Sequence, residues 1–432
     1  MPAKKSNKVA AVILTGDMGA AMHSKVPLPL HPLCGQPLVF YAIHTAREAL
    51  GTTPILIIDK QDEQIKAVVE QAAVCILTTG ERNNPLSQVL NEYSFDKGTD
   101  HLLLLRADMP LLRVDSLRQM LKTHLESPEE IDTPGTITAL IMPSSRETAD
   151  FFPGACCLSL EWLRGAMTAS EDHDNLLDEL VHKAAADGLS AKSSNVSNPD
   201  EALRIENRVD LAKAEAILRQ QINERLMLKG VTIIDPVSTY IDAQVAIGRD
   251  TVIHPNTYLR GKTRIGEDCS IGPNCLILDT DIGDRCAITF SEAENAVLEE
   301  DVDIGPFAHL RRGAHLARGV HMGNYGEVKN AYLGPGTKMG HFSYIGDATI
   351  GPGVNIGAGV ITANYDGEKK HRTEIGAGAF IGSDSMLVAP LKIGEGARTG
   401  AGSVVTKDVP AYSLAVGIPA RVIRKKEESD GS

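Results

Sequence analysis

The sequence predicts two domains of different fold class, an α/β domain with a parallel sheet in the first half and a parallel β-helix in the second. Before residue 235, apolar runs alternate with amphipathic helical stretches, whereas from residue 236 onward aliphatic residues recur every six positions. Glycine usage changes at the same place, because 11 of the 39 glycines lie in residues 1–235 and 28 lie in the shorter remainder. We therefore expect an α/β domain at 1–227, a linker at 228–240, a β-helix at 241–424 and a disordered tail at 425–432.

Three strand-helix pairs support the α/β domain: VAAVIL with LVFYAIHTAREAL, PILIID with EQIKAVVEQAA, and HLLLLRADMP with VDSLRQMLKTHLE. Alternation of this kind predicts a parallel sheet with right-handed crossovers. A long helical stretch, RVDLAKAEAILRQQINERLMLKG, closes this half, and Gly230 is expected to end it.

The period of six in the second half predicts the β-helix. An aliphatic residue, often followed by glycine, is joined four places later by a small residue. A chain that turns a corner every six residues forms a three-sided coil of about 18 residues, with the aliphatic side chain inside and the small residue at the corner. Cys269, Cys275 and Cys286 fall in the corner position, so we expect them to pack rather than to bind metal.

A polar insertion, ANYDGEKKHRTE at 363–374, interrupts the period between two intact runs. Such an insertion forms a loop that projects from one edge of a solenoid, and loops of this kind commonly carry function. We therefore expect this loop to contribute to a binding site.

Charge and cysteine content exclude several classes of protein. The formal net charge is −13, and a chain this acidic is repelled by phosphate backbones and by anionic lipid. The seven cysteines form no CxxC pair and are typical of reduced cytosolic thiols. The first apolar run, VAAVIL, is too short for a signal peptide or a membrane span. We expect a cytoplasmic protein that binds small molecules and has no nucleic-acid or membrane partner.

Six motifs between Gly305 and Gly402 carry a family resemblance: GPFAHLR, GNYGEVK, GHFSYIGDA, NIGAGVITANYDG, KKHRT and IGSDSMLVAP. In this order they resemble the acetyltransferase half of the bacterial bifunctional N-acetylglucosamine-1-phosphate uridyltransferase and glucosamine-1-phosphate N-acetyltransferase family. The resemblance implies a nucleotidyltransferase-like, Rossmann-type domain followed by a left-handed parallel β-helix. It also implies a homotrimer whose acetyltransferase sites are shared between neighbouring subunits.

The same resemblance implies roles for individual residues. His341 matches the catalytic base. The sugar-phosphate contacts match Arg311, Lys329, Tyr344, Asn355 and Lys370. The acetyl-CoA contacts match Ala358, Asn364, Tyr365, Ser383 and Ala401. The other histidines of the repeat are expected at surface or corner positions: His254, His309, His315 and His321.

These residue types suit the chemistry of amide formation from an amine and a thioester. An ammonium substrate must lose a proton before or during attack, and a histidine with a pKa near neutrality suits that role. Arginine and lysine supply charge-assisted contacts to a phosphate-bearing acceptor. A thioester is already activated, and backbone N–H groups can hold the oxyanion, so this reaction requires no metal.

The first half resembles the uridyltransferase half of the family but differs where the family carries its chemistry. The family's phosphate-binding loop, AAGxGTRMxSxxPKxL, reads TGDMGAAMHSKVPLPL here. Asp17 replaces the first loop glycine, Ala21 replaces the arginine and Leu28 replaces the lysine. Removing two cations and adding an anion around a triphosphate costs on the order of several kcal/mol of transition-state stabilisation.

Other differences lie outside this loop. The uracil-binding segment QxxxGTGHA has become ERNNPLSQVL, the sugar-contacting NTG has become FPG at 152–154, and the stretch that carries a sugar-binding glutamate is missing. Asp108 and Asn207 match the family's Mg²⁺ ligands, and Mg²⁺ would be needed only if this half is active. We expect the fold to be retained and the activity lost, with Asp108 kept as a relic or a structural cap.

The sequence therefore favours acetyl transfer from acetyl-CoA to glucosamine 1-phosphate. One alternative is the complete bifunctional enzyme, which would also uridylylate N-acetylglucosamine 1-phosphate with UTP. Another is a non-catalytic, sugar-phosphate-binding trimeric scaffold, against which the set of His341, Lys329 and Arg311 argues. The acceptor sugar stays open, because the ending VGIPARVIR is closer to the tails of other hexapeptide acyltransferases.

Overall fold

The structure, a computed structural model, describes residues 8–15, 20–60, 62–72, 74–79, 85–126, 135–143, 151–166, 176–196 and 198–425. Contacts divide the chain into two compact units, Met1–Leu218 and Arg219–Ser432. Asp17 and nearly all of the predicted tail at 425–432 lie outside the described residues.

The first unit alternates strands and helices, as the sequence predicts. Its strands are β1 (Lys8–Leu14), β2 (Pro32–Leu33), β3 (Gln36–Pro37), β4 (Ile55–Asp59), β5 (Cys75–Thr79), β6 (Thr99–Arg106), β7 (Thr136–Pro143), β8 (Phe151–Ser159) and β9 (Ser190–Asn195). Its helices are α1 (Val39–Leu50), α2 (Glu63–Val69), α3 (Pro85–Glu92), α4 (Val114–Leu125), α5 (Leu160–Ala166), α6 (Leu176–Ala186) and the start of α7 (Arg208–Leu228).

The large sheet of this unit has the strand order β5-β4-β1-β6-β8-β7-β9. β1 is parallel to β4 and β6, and β4 is parallel to β5. β8 is antiparallel to both β6 and β7, so the predicted parallel sheet contains one antiparallel strand. Residues 144–150 are all that separates β7 from β8, and a parallel connection needs about a dozen residues or more.

Helices cover both faces of this sheet because successive strand residues point to opposite sides. Leu103 and Leu105 of β6 pack with residues of α1, α2 and α4. Leu102 and Leu104 pack with residues of α3, α5 and α6. All four leucines are buried, so β6 lies at the centre of a three-layer unit. Among the described helices, none combines the length and apolar character that crossing a bilayer requires.

The second unit is the parallel β-helix that the hexapeptide period predicted, with the left-handed form that the family resemblance implied. Its short strands stack into three sheets, called face one, face two and face three, which are parallel except at the last strand of face one. Face one contains Thr232–Ile233, Val252–Ile253, Ser270–Ile271, Ala287–Ile288, Asp303–Ile304, His321–Met322, Lys338–Met339, Asn355–Ile356, Phe380–Ile381, Arg398–Thr399, Ser413–Gly417 and Ala420–Lys425. Face two contains Tyr240–Ile241, Tyr258–Arg260, Leu276–Leu278, Glu292–Glu294, His309–Leu310, Gly326–Lys329, Ser343–Gly346, Ile361–Ala363, Met386–Val388 and Val404–Val405. Face three contains Ala246–Ile247, Arg264–Ile265, Asp281–Ile282, Val297–Leu298, His315–Leu316, Tyr332–Leu333, Ala348–Ile350, Thr373–Ile375 and Leu391–Ile393.

Aliphatic side chains form columns inside the coil. Leu310, Val328 and Ile345 lie in register on face two, and each is fully buried. Burying such side chains stabilises the coil by about 1.5–3 kcal/mol each, which explains why their spacing is so regular.

The predicted corner cysteines pack as expected. Cys269 and Cys286 are 2% and 1% exposed. Their thiols donate to the carbonyl oxygens of Gly283 at 3.2 Å and Glu299 at 3.0 Å. These side chains are small and apolar and their thiols are hydrogen-bonded, so they fit the tight turn of the coil.

The β-helix begins inside the stretch that the sequence assigned to a linker, 228–240. Thr232–Ile233 pairs with Val252–Ile253, although the intervening sequence breaks the period of six. The amide of Asn223 in α7 donates to the carbonyl oxygens of Pro236 and Thr239 at 3.0 and 3.2 Å. These bonds order residues that periodicity alone does not identify as part of a coil.

The polar insertion projects from the corner between face two and face three. It follows Ile361–Ala363 and precedes Thr373–Ile375. Tyr365 and Lys370 form an antiparallel bridge across it, so the insertion is a closed hairpin.

At the other end, Ser413–Gly417 is parallel to Arg398–Thr399 and antiparallel to Ala420–Lys425. The residues that leave the period after Val405 therefore return to face one as a hairpin, which ends the β-helix.

Candidate active site

His341 lies on the corner between face one and face two, which we call the His341 edge (segments 340–342, 357–359, 382–384 and 400–402). Backbone hydrogen bonds join these segments: Gly359 N to Phe342 O at 2.6 Å, Asp384 N to Ala358 O at 2.6 Å, and Gly402 N to Ser383 O at 2.8 Å. His341, Ala358, Ser383 and Ala401 therefore occupy equivalent positions in four successive coils, with a rise of about 4.8 Å per coil.

The His341 edge carries mainly glycine, alanine and serine, together with the exposed side chains of Phe342 and Asp384. A Cβ atom at Gly357 would lie 2.6 Å from the backbone nitrogen of Ser383, and one at Gly382 would lie 2.6 Å from the carbonyl oxygen of Thr399. Both positions therefore require glycine because the coils approach so closely. His341 itself is exposed, so its imidazole is accessible at one end of this edge.

Three of the predicted sugar-phosphate contacts lie on face two. Lys329 and Tyr344 project from neighbouring strands, and Arg311 follows the strand below. All three side chains are half-buried. The structure therefore groups two cations and a phenol on the face that adjoins His341.

Glu327 is a residue of this group that sequence reasoning missed. Its Oε1 accepts a hydrogen bond from Nη1 of Arg311 at 2.9 Å, which raises the pKa of the guanidinium. Glu327 lies two residues before Lys329, so strand alternation places both side chains on the outer side of face two. This spacing of two residues is the sequence signal that could have identified Glu327 as part of the group.

The remaining predicted contacts lie elsewhere on the chain. Asn355 is on the outer side of face one, and Lys370 and Tyr365 lie on the hairpin at the corner between faces two and three. Asn364 is 8% exposed, and its amide donates to the carboxylate of Asp347. One chain therefore carries Arg311, Lys329 and Tyr344 on face two and His341 on a corner of that face, and it distributes the other contacts over separate surfaces.

The hairpin that carries Lys370 is ordered by Asp366. Its carboxylate accepts from the backbone nitrogens of Lys369 and Glu368, both at 2.8 Å, and lies 2.6 Å from Nε2 of His371. These contacts, the Lys369 bond foremost, lower the pKa of Asp366. The hairpin thus holds its shape by internal bonds and presents Lys370 to solvent.

The histidines expected at the surface are half-buried on the outside of the coil: His254, His309, His315 and His321. His315 lies 2.9 Å from Glu299, and His321 pairs with Asp303. These contacts fit the surface positions that the sequence predicts.

In the first unit, Asp108 and Asn207 do not fit a Mg²⁺ site. Asp108 is 1% exposed, and its carboxylate accepts from Arg106 at 3.0 and 2.8 Å and from Arg204 at 2.9 Å. The side-chain oxygen of Asn207 accepts from the backbone nitrogens of Val209 and Asp210 at 2.8 and 3.2 Å, which caps helix α7. Both potential ligands are therefore engaged with the protein itself.

Leu28, which stands where the family has a lysine, is also a structural residue. It is 1% exposed and belongs to an apolar cluster with Met22, Leu33, Leu111 and others. A side chain buried in this way has no access to a phosphate.

Comparisons with known proteins cover both units. Residues 11–181 match the MobA-like NTP transferase domain, and residues 245–279 and 372–407 match the bacterial transferase hexapeptide repeats. The bifunctional protein GlmU of Thermosipho africanus is 37% identical over 446 aligned positions, covering 96% of this chain and 96% of that protein. The chain belongs to the GlmU family. GlmU of Thermotoga petrophila is 38% identical and GlmU of Pelobacter propionicus 36%, each covering 96% of this chain and 97% of the relative.

The match to GlmU extends over both units. The resemblance and the fold class predicted from the sequence are confirmed. Among the described residues, no group of three or more His, Cys, Asp or Glu side chains is arranged to hold a metal ion.

Proposed function

We propose that the protein transfers the acetyl group of acetyl-CoA to the amine of glucosamine 1-phosphate, giving N-acetylglucosamine 1-phosphate and CoA. One observation carries the proposal: His341 lies on the same edge as Ala358, Ser383 and Ala401, the positions assigned to acetyl-CoA. An extended pantetheine arm laid along this edge would direct its thioester towards the imidazole.

His341 acts as the general base. The substrate ammonium loses a proton to the neutral imidazole, and the free amine attacks the carbonyl carbon of the thioester. A C–N bond forms and the C–S bond breaks, and the departing CoA thiolate takes up the second proton that the nitrogen loses, which gives the CoA thiol. The exposed position of His341 supports this role because the acceptor can reach the ring and the proton can later pass to water.

Arg311 and Lys329 hold the phosphate of the acceptor. Their positions on face two, one strand apart, suit charge-assisted contacts to a single phosphate group. Glu327 fixes the guanidinium of Arg311, so less side-chain entropy is lost when the phosphate binds. Tyr344, on the next strand, supplies a further contact to the sugar phosphate.

A homotrimer completes the site. Asn355 and Lys370 lie on surfaces of the coil other than face two, and Lys370 projects on a hairpin closed by its own bonds. Three prisms around a threefold axis would bring face one and the hairpin of one subunit towards face two of its neighbours. The distribution of contacts within one chain supports this arrangement.

The first unit has lost uridyl transfer in this proposal. Leu28 is buried in an apolar cluster, and the oxygens of Asp108 are paired with two arginines. The complete bifunctional enzyme is the second candidate, favoured by the match to GlmU over 96% of both chains.

Two assays on the purified full chain test the proposal. Release of the CoA thiol from acetyl-CoA is measured with glucosamine 1-phosphate, and with N-acetylglucosamine 1-phosphate as the control that lacks a free amine. Pyrophosphate release from UTP with N-acetylglucosamine 1-phosphate and Mg²⁺ is measured separately. We expect release of the CoA thiol with glucosamine 1-phosphate but not with N-acetylglucosamine 1-phosphate. We expect no multiple turnover of UTP. Turnover of UTP would establish the complete bifunctional enzyme. Absence of thiol release with glucosamine 1-phosphate would contradict the proposed acetyl transfer.

A further inference from the structure

Asp108 is a buried carboxylate whose charge is balanced inside the first unit. It lies two residues after the end of β6, and 1% of its surface is exposed. A buried ionised carboxylate requires both an opposite charge and hydrogen bonds. The pKa of Asp108 is lowered despite its burial, because Arg106 and Arg204 favour the ionised form.

The two guanidinium groups cover both carboxylate oxygens. Nε of Arg106 donates to Oδ1 at 3.0 Å and its terminal nitrogen donates to Oδ2 at 2.8 Å, which is a bidentate contact. Nε of Arg204 donates to Oδ2 at 2.9 Å. A metal ion could bind this carboxylate only by displacing one or both arginines.

Burial makes such displacement unfavourable. The side chain of Arg106 is 10% exposed and that of Arg204 is 27% exposed, so a released guanidinium would remain partly out of water. Two cations around one carboxylate also repel a third cation.

Arg204 also connects distant parts of the chain. It lies 96 residues after Asp108, in the segment that leads into α7. In the same segment, the backbone nitrogen of Ile205 donates to the carbonyl oxygen of Asp108 at 2.9 Å. The ion pair thus holds the segment that precedes α7 against the end of β6.

We propose that Arg106 and Arg204 take the place of a divalent cation at Asp108, so that this group is a metal-independent structural lock of the first unit. The proposal is separate from acetyl transfer and concerns the structural role of the Asp108 carboxylate. It predicts that Mg²⁺ and Mn²⁺ have no site at Asp108 and that folding of the unit depends on the ion pair.

The test uses the full-length protein and Mn²⁺ as the probe. Electron paramagnetic resonance measures Mn²⁺ bound to the unmodified protein, to Asp108→Asn and to the control Asp96→Asn, an exposed acid of the same unit. We expect the same weak binding in all three. One Mn²⁺ per chain that is lost only in Asp108→Asn would overturn the proposal. Pyrophosphate release reports separately on uridyl transfer, so Mn²⁺ binding without turnover would leave the proposed function standing.

Stability is the second measurement. Trp162, the single tryptophan of the chain, lies in α5 and reports unfolding of the first unit by fluorescence. We expect Asp108→Asn to lower the melting temperature by about 5 °C or more, and EDTA to leave the unmodified protein unchanged. If Asp108→Asn does not fold, Arg204→Met is the milder variant, with a smaller decrease expected. A melting temperature raised by Mg²⁺ through Asp108, or unchanged in both variants, would contradict the lock.

Discussion

Arg311 and Glu327 form an ion pair between adjacent coils of face two, with Nη1 of the arginine 2.9 Å from Oε1 of the glutamate. The pair lies on the face that adjoins His341 and sets the orientation of the guanidinium. A guanidinium has five N–H groups, so the contact with Glu327 is compatible with the proposed role of Arg311 in binding the phosphate of the acceptor.

We expect Arg311→Ala and Lys329→Ala to weaken use of the sugar phosphate by roughly 10- to 150-fold each, since a charge-assisted contact contributes about 1.5–3 kcal/mol. Steady-state kinetics with each substrate varied in turn provide the measurement. Arg312→Ala, an exposed neighbour, is the matched control and should behave as the unmodified protein. A loss confined to acetyl-CoA would reverse the assignment of the two sides of the site.

His124 is expected to make the stability of the first unit depend on pH. It is 4% exposed and lies 3.0 Å from both His101 and Thr138. Burial, with smaller contributions from His101 and Lys192, lowers its pKa from 6.5 to about 4. The unfolded chain therefore binds the proton more readily, so stability present above pH 6.5 is lost as the pH falls towards about 4.

The expected loss from this one group is about 2–3 kcal/mol across that interval. Trp162 fluorescence during denaturant unfolding at several pH values measures it. His124→Gln should flatten the dependence, whereas His44→Gln, an exposed histidine on α1, should not. Identical pH profiles for the two variants would show that His124 does not carry the effect.

The period of six predicted the β-helix because each inward aliphatic contacts its equivalent in the next coil, as Leu310, Val328 and Ile345 do. Local pattern therefore encodes the global fold in a solenoid. The antiparallel β8 was not predicted, because strand direction depends on the connection rather than on the strand's own residues.

The same contrast between local pattern and long-range contact applies to the site residues. The family resemblance gave roles to His341, Ala358, Ser383 and Ala401, and the coil brings these four residues to one edge. It could not show that Asp108 meets Arg204, because 96 residues separate them and no repeat relates them. Glu327 was available from strand alternation but matched no motif that pointed to chemistry.

Mixed oligomers test whether the site is shared between subunits. His341→Ala and Lys370→Ala chains are purified separately, then unfolded and refolded together. If the two residues act in one site from different chains, mixed trimers recover activity that neither parent shows. Mixing His341→Ala with the double variant His341→Ala/Lys370→Ala is the control and should recover none. A fully active monomer, detected by light scattering, would contradict the shared site.

The most direct test of acetyl transfer at the His341 edge is the rate of CoA thiol release with glucosamine 1-phosphate, compared between the unmodified protein and His341→Ala. We predict turnover by the unmodified protein and a rate lower by a factor of about 10²–10⁴ in the variant, with the oligomeric state unchanged. A variant that turns over at nearly the unmodified rate at neutral pH would contradict the role of His341.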